Sequence, residues 1–380
     1  MKLNSKLIHG GVDGDKTTGA VNVPVYLKST YKQPRFGENL GYEYSRTGNP
    51  TREAVEKLIA ELENGVRGFA FASGMAAITA VLNLFNSGDK ILINDNLYGG
   101  TFRVIDKIFS NFNLSYEVVK DFNSYDFNSV DKSVKAVIIE TPTNPLLTIT
   151  DLEKVSKAAK KAGLLTIVDN TFMTPYLQNP LDFGVDIVVH SATKYLGGHS
   201  DTVAGLVVVN SEELGERLHF IQNSTGGVLP PFDSYLLIRG IKTLSVRLDR
   251  HLENAKAIVE FLQEQDAIEK IYYPGIEEHP GYEINKKQAR GAGAVISFAL
   301  KKNYDFKKFI NSLELITYGE SLGGVESLLC HPATMTHAAL PEDAREALGI
   351  NERLLRLSVG IEDKNDLINE ISRAIEESRG

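Results

Sequence analysis

At 380 residues the chain exceeds the size at which a single hydrophobic core stops growing, so two domains of unequal size are expected. Its 42% hydrophobic and 24% charged content suits a globular chain whose apolar runs are too short to cross a bilayer, and a net charge of −8 with no basic run argues against a nucleic-acid surface. The single cysteine, Cys330, can form no internal disulfide and has no CxxC neighbour for zinc; with a start of neither secretory nor transit type, this favours the cytoplasm and small-molecule chemistry.

Residues 1–50, rich in Gly, Pro, Thr and Tyr, hold no periodicity for long and read as an extended arm that could reach a neighbouring subunit. From Thr51 the segment TREAVEKLIAELENG places Ala54, Val55, Leu58, Ile59 and Leu62 on one helical stripe, with Gly65 as the expected residue after its end. Strands are expected at 68–73, 90–94, 135–140, 164–169, 185–190 and 204–209, separated by amphipathic helices. Thr150 and Glu153 form a capping-box pattern at the start of one of these helices. Strands apolar throughout belong in a mostly parallel sheet covered on both faces, so residues 51–240 read as an α/β unit with its ligand beyond the strands' carboxyl ends. A long helix from about Ser234 to Glu264 would lead into a smaller α+β unit, and 241–380 are assigned to that linker and unit. Its expected elements are the strands GAVISFAL and LLRLSVGIE and the closing helix KNDLINEISRAIEES.

Polar residues gather at the ends of the expected strands: Ser73 and Gly74, Asn144, Asp169, then Ser191, Thr193 and Lys194. Singly, each has an ordinary reading as a cap, a turn former or a solvated side chain. Together they suit a Schiff-base catalyst. A lysine buried near cationic groups is partly unprotonated, a carboxylate can hold a pyridinium nitrogen, and a helix N-terminus with hydroxyls and Arg46 can hold a phosphate. His190, His199, His331 and His337 lack acid or metal partners at a recognisable ligand spacing and read as packing residues, while Gly197 and Gly198 read as a sharp turn.

The ordered segments YSRTGNPTR, SGMAA, LYGGTFR, ETPTNP, VDNTF, SATKYLGGHSD, ESLGGVES and RLSVGIED resemble the Cys/Met-metabolism family of pyridoxal-phosphate enzymes, from about residue 8 to the C-terminus. The resemblance implies an aspartate-aminotransferase-like (fold type I) large domain with a mostly parallel seven-stranded sheet, a smaller α+β C-terminal domain and an N-terminal arm. It implies that Lys194 bonds the cofactor and moves protons, that Asp169 pairs with the pyridine nitrogen, and that Tyr98 stacks on the ring and can protonate the departing thiolate. Ser73, Gly74, Met75, Thr171, Ser191 and Thr193 would complete the cofactor site, with Tyr44 and Arg46 reaching the phosphate of an adjacent subunit in a homotetramer built from active dimers. Arg356 would clamp the substrate carboxylate with Ser321 and Asn144, while Glu320 and Arg103 would meet the far end of a two-headed sulfur amino acid.

Within the family, Gly100 stands where methionine γ-lyases typically carry Cys, which favours a cystathionine-handling member. Cleavage of cystathionine on the γ side is the first expectation, with β-elimination at the same site close behind. The alternative is a cystathionine γ-synthase or O-acylhomoserine thiol transferase, which shares nearly every motif. A non-catalytic scaffold would be expected to lose Lys194, Asp169 or Arg356, and all three are present.

Overall fold

The computed structural model describes residues 1–338, 345–346 and 348–380. Seven strands build the larger sheet: β1 (Arg67–Phe71), β2 (Lys90–Asn94), β3 (Ser115–Val119), β4 (Val134–Glu140), β5 (Leu165–Asp169), β6 (Ile187–Ser191) and β7 (Gly205–Val209). Their order is β1-β7-β6-β5-β4-β2-β3, and β7 alone runs against its neighbours. The mostly parallel expectation holds because the strands are buried on both faces. Along β7, Leu206 and Val208 join the core under helix Pro50–Leu62, while Val207 and Val209 join the core under helix Gly74–Leu82.

The smaller sheet comprises β8 (Ile268–Tyr272), β9 (Val295–Leu300), β10 (Thr317–Tyr318), β11 (Leu328–Cys330) and β12 (Leu354–Ser358), in the order β10-β11-β12-β9-β8. Helix Leu244–Gln263 ties it to the rest. Its buried His251 Nδ1 lies 2.6 Å from Val359 O, and Asn254 Nδ2 donates to Gly360 O (3.0 Å) and Glu362 O (2.8 Å), which fixes the chain leaving β12. One hydrophobic cluster, from Leu58 and Leu206 to Phe298 and Leu357, runs through both parts. Among the described residues no helix is long and apolar enough to cross a membrane.

Several local expectations need correction. The long helix is two, Pro231–Ile241 and Leu244–Gln263, because the Gly240 carbonyl is taken by Arg247 Nη2 (2.8 Å) and Thr243 Oγ1 (3.1 Å) where the helix would continue. Helix Leu152–Lys161 is capped by Asp151, which accepts from Lys154 N at 2.9 Å. Thr150 instead donates its N–H to Thr141 Oγ1, so no capping box forms. Helix Pro50–Leu62 ends through Asn64 in the left-handed region (φ 57°) rather than through Gly65. Gly65 is small for a different reason: a Cβ there would lie 2.2 Å from Val208 Cγ1. The arm opens with a helix, Leu3–His9, whose Leu7 is fully buried, while Phe36 and Leu40 further along it are exposed. Strand β3 has no counterpart among the expected strands.

Candidate active site

The parallel strands deliver their carboxyl ends to one edge of the sheet. There β4 ends at Glu140, β5 at Asp169 and β6 at Ser191, with Glu140 paired to Asp169 and Asp169 to Val189 in register. Residues in register share a face, so these groups converge on a cavity of about 260 Å³. It lies where ligands of open α/β sheets sit. Ser73, Gly74, Met75, Tyr98, Asn144, Asp169, Thr171, Ser191, Thr193, Lys194, Glu320, Ser321 and Arg356 all line it. Tyr44, Arg46 and Arg103 do not. Arg103 lies exposed on helix Gly99–Lys107, and Arg46 donates to Asn223 O with its guanidinium over the Tyr44 ring.

One wall is the start of helix Gly74–Leu82. Ser73 caps it by accepting from Ala76 N at 3.0 Å, and the remaining first-turn N–H groups have no intrahelical acceptors. Gly74 allows the approach, since a Cβ there would sit 2.9 Å from Ser191 Cβ. The hydroxyls of Ser191 and Thr193 border the same wall. Thr193 is fixed by Ala204, whose N–H reaches Thr193 Oγ1 at 3.0 Å. Asp169 is held by the N–H (3.0 Å) and hydroxyl of Thr171, and Thr171 Oγ1 accepts from Ser191 N at 2.8 Å. Burial pushes the Asp169 carboxyl up, and the two Thr171 hydrogen bonds work against that.

Across the cavity, Lys194 Nζ donates to Ser321 Oγ at 2.7 Å. Burial and then the Arg356 charge pull its amine down to about 8, with Glu320 opposing. Ser321 is held at φ 93°, a left-handed value that costs a non-glycine residue free energy, and its neighbours compensate. Its hydroxyl receives Lys194 and its carbonyl receives Arg356 Nη2 at 2.8 Å. Arg356, 2% exposed on β12, sends Nη1 to Asn144 Oδ1 (2.8 Å) and leaves a buried Nε with no acceptor among the described residues. Tyr98, 42% exposed, stands at the mouth over Gly100. A Cβ at 100 would lie 2.5 Å from Tyr98 Cε1 and 2.9 Å from Met75 Sδ.

The expected packing roles of the histidines meet one surprise. His190 has an acid partner, Glu63, at 2.7 Å with both side chains fully buried, supplied by the residue that follows helix Pro50–Leu62, 127 residues away in sequence. His199 Nδ1 lies 2.8 Å from Gly197 O, and Gly198 takes the turn at φ 74°. Glu140, Phe172, Leu322 and Thr336 line the cavity without having been expected there. For Glu140 a signal existed: it closes an apolar strand run as Asp169 does. Burial and then the Asp169 charge push its carboxyl up to about 8.

A bound pyridoxal phosphate fits these groups. The helix N-terminus with Ser191 and Thr193 suits a phosphate, Asp169 a pyridine nitrogen and Lys194 an aldehyde, while the orphaned Arg356 Nε suits a carboxylate. Comparison with known proteins agrees. Residues 4–376 match the Cys/Met metabolism PLP-dependent enzyme family. A cystathionine gamma-lyase of Bacillus subtilis is 55% identical over 377 residues, 99% of this chain and 100% of that protein. A cystathionine beta-lyase of Lactococcus lactis is 54% identical over 375 residues, covering 98% and 99%. The crystal structure of cystathionine gamma-lyase from Lactobacillus plantarum complexed with L-serine superposes with a TM-score of 0.97 at 49% identity, over 100% of this chain and 99% of that one.

Proposed function

For a chain that belongs to the Cys/Met metabolism family of PLP-dependent enzymes, and so is a carbon–sulfur lyase acting on amino acids, we propose γ-elimination of cystathionine to cysteine, 2-oxobutyrate and ammonia. The observation that carries this reading is the Lys194–Ser321–Arg356 cluster, which puts a base and a carboxylate anchor on one wall. Glu320 at the rim can meet the distal ammonium of a two-headed substrate, and Gly100 leaves the Tyr98 ring room at the mouth.

Bound pyridoxal phosphate supplies the electron sink that makes the Cα proton acidic. The chain's own residues supply the rest. Arg356, oriented by Asn144 and by the Ser321 carbonyl, binds the α-carboxylate through its free edge. Lys194 would take the Cα proton, hand it on to the bound cofactor's electron-sink system and, a free amine again, take one from Cβ so that the γ-sulfur can leave; its amine, held down near 8, is basic enough to accept a proton and free enough to be unprotonated. Ser321 Oγ, which accepts from Nζ at 2.7 Å, would hold the amine in place for both transfers. Tyr98 protonates the departing thiolate, and water completes the products as ammonia and a 2-oxo acid. Asp169, braced by Thr171, holds the ring nitrogen. The same base serves β-elimination, and a β-lyase at nearly the same identity supports that as a second activity of the site.

The arm of residues 1–50 completes a neighbouring subunit's site with Tyr44 and Arg46, making an active dimer, and two such dimers form a homotetramer. Both residues lie outside their own cavity, and the arm exposes Phe36 and Leu40. Residues 51–240 bind the cofactor, and 241–380 carry Arg356 to it. The purified enzyme should release 2-oxobutyrate in excess of pyruvate from cystathionine alone. Pyruvate as the sole 2-oxo acid would assign it to β-elimination, and acyl-homoserine consumption only with cysteine present would assign it to γ-replacement.

A further inference from the structure

Glu140 is 5% exposed at the end of β4, and both of its carboxylate oxygens are engaged. Oε2 accepts the Tyr98 N–H at 2.8 Å and Oε1 the Asn144 N–H at 2.9 Å, while the Glu140 N–H is itself fixed by Asn94 Oδ1 at 2.7 Å. Asn144 passes the connection on, because its Oδ1 receives Arg356 Nη1. An unbroken chain of hydrogen bonds therefore runs from the backbone of Tyr98 to the guanidinium of Arg356.

The residue type is costly at this place. Glu140 pairs in register with Asp169, which sets two buried carboxylates side by side. A glutamine of the same shape would accept through one oxygen only and would turn an N–H donor toward the other backbone N–H. Only the ionised carboxylate accepts from both loops at once, so the comparison with glutamine is made above about pH 8, the value to which its environment raises this carboxyl. What it joins is specific to the cavity: one loop carries the aromatic residue at its mouth, the other the residue that orients its anchor.

We infer that Glu140 is a positioning residue that locks the Tyr98 loop to the Asn144–Arg356 anchor, so that cofactor ring and substrate carboxylate are held in one fixed relation. This rests on the placement of cofactor and carboxylate proposed above, but not on which C–S bond is cut. The test is Glu140→Gln in the holoenzyme, with three readouts: the visible dichroism of bound pyridoxal phosphate, glycine affinity from the cofactor's absorbance change, and the thermal midpoint. Glycine has a carboxylate and no C–S bond, so its binding reports the anchor even if the lyase reading fails. Loss of one charged hydrogen bond should weaken glycine about tenfold and diminish the dichroism while the midpoint stays close to the parent's. Glu140→Asp, which keeps the charge and shortens the reach, should move the same two signals. The inference is overturned if either folded variant leaves both signals unchanged, or if both variants lose them only in step with a fallen midpoint.

Discussion

The Lys194 amine makes the most exposed prediction, because it can be read before any substrate is turned over. Only the neutral amine attacks an aldehyde, and in this cavity burial and then Arg356 pull its pKa from the ordinary 10.5 to about 8. Below both values each unit changes the neutral fraction tenfold, so at pH 7 Lys194 should hold about 300-fold more neutral amine than a solvated lysine. Cofactor-free protein mixed with pyridoxal phosphate should therefore attach it at a rate that rises with pH and levels off through about 8. The absorbance of the attached cofactor, followed in time from pH 7 to 10.5, gives the inflection. Glu320 is the group that opposes the lowering. Its replacement in Glu320→Gln removes an anion that supports the ammonium, so the inflection should move to lower pH. An inflection near 10, or an upward move in that variant, would refute the argument.

Three further substitutions test the rest of the wall. Arg356→Lys keeps the charge but loses the fork that reaches Asn144 and Ser321, and should raise KM for cystathionine by about ten- to a hundredfold, seen in initial-rate kinetics. Gly100→Ala puts a Cβ 2.5 Å from Tyr98 Cε1, so kcat/KM should fall at least several-fold with little change in thermal midpoint; unchanged turnover would show that the ring has room to spare. Lys194→Ala should abolish turnover and the borohydride-stable attachment of pyridoxal phosphate to the chain, checked by mass spectrometry.

Legibility followed locality. The runs at β2, β4, β5 and β6 were readable because strands buried on both faces are apolar throughout. Strand β3 was not, because it is an edge strand, mostly exposed, and its sequence SYEVV carries little burial signal. The sequence pattern puts the cap one residue early, at Thr150, and shows no break at Lys242–Thr243, because hydrogen bonds outside the helical repeat decide both: Thr150 bonds Thr141, and Gly240 bonds Arg247. The Glu63–His190 pair was invisible for the same reason, being 127 residues apart.

Motif order and strand-end chemistry alone determined the family, the cofactor and most of the residues around it. Only the tertiary structure decided which of them meet: Lys194 with Ser321 across 127 residues, Arg356 with Asn144 across 212, and Glu140 with both Tyr98 and Asn144. Periodicity records which face of an element is buried, a property of neighbours in sequence. Convergence comes from parallel strands bringing all their carboxyl ends to one edge and from a second sheet folding Arg356 over it. No local pattern of residues contains that geometry.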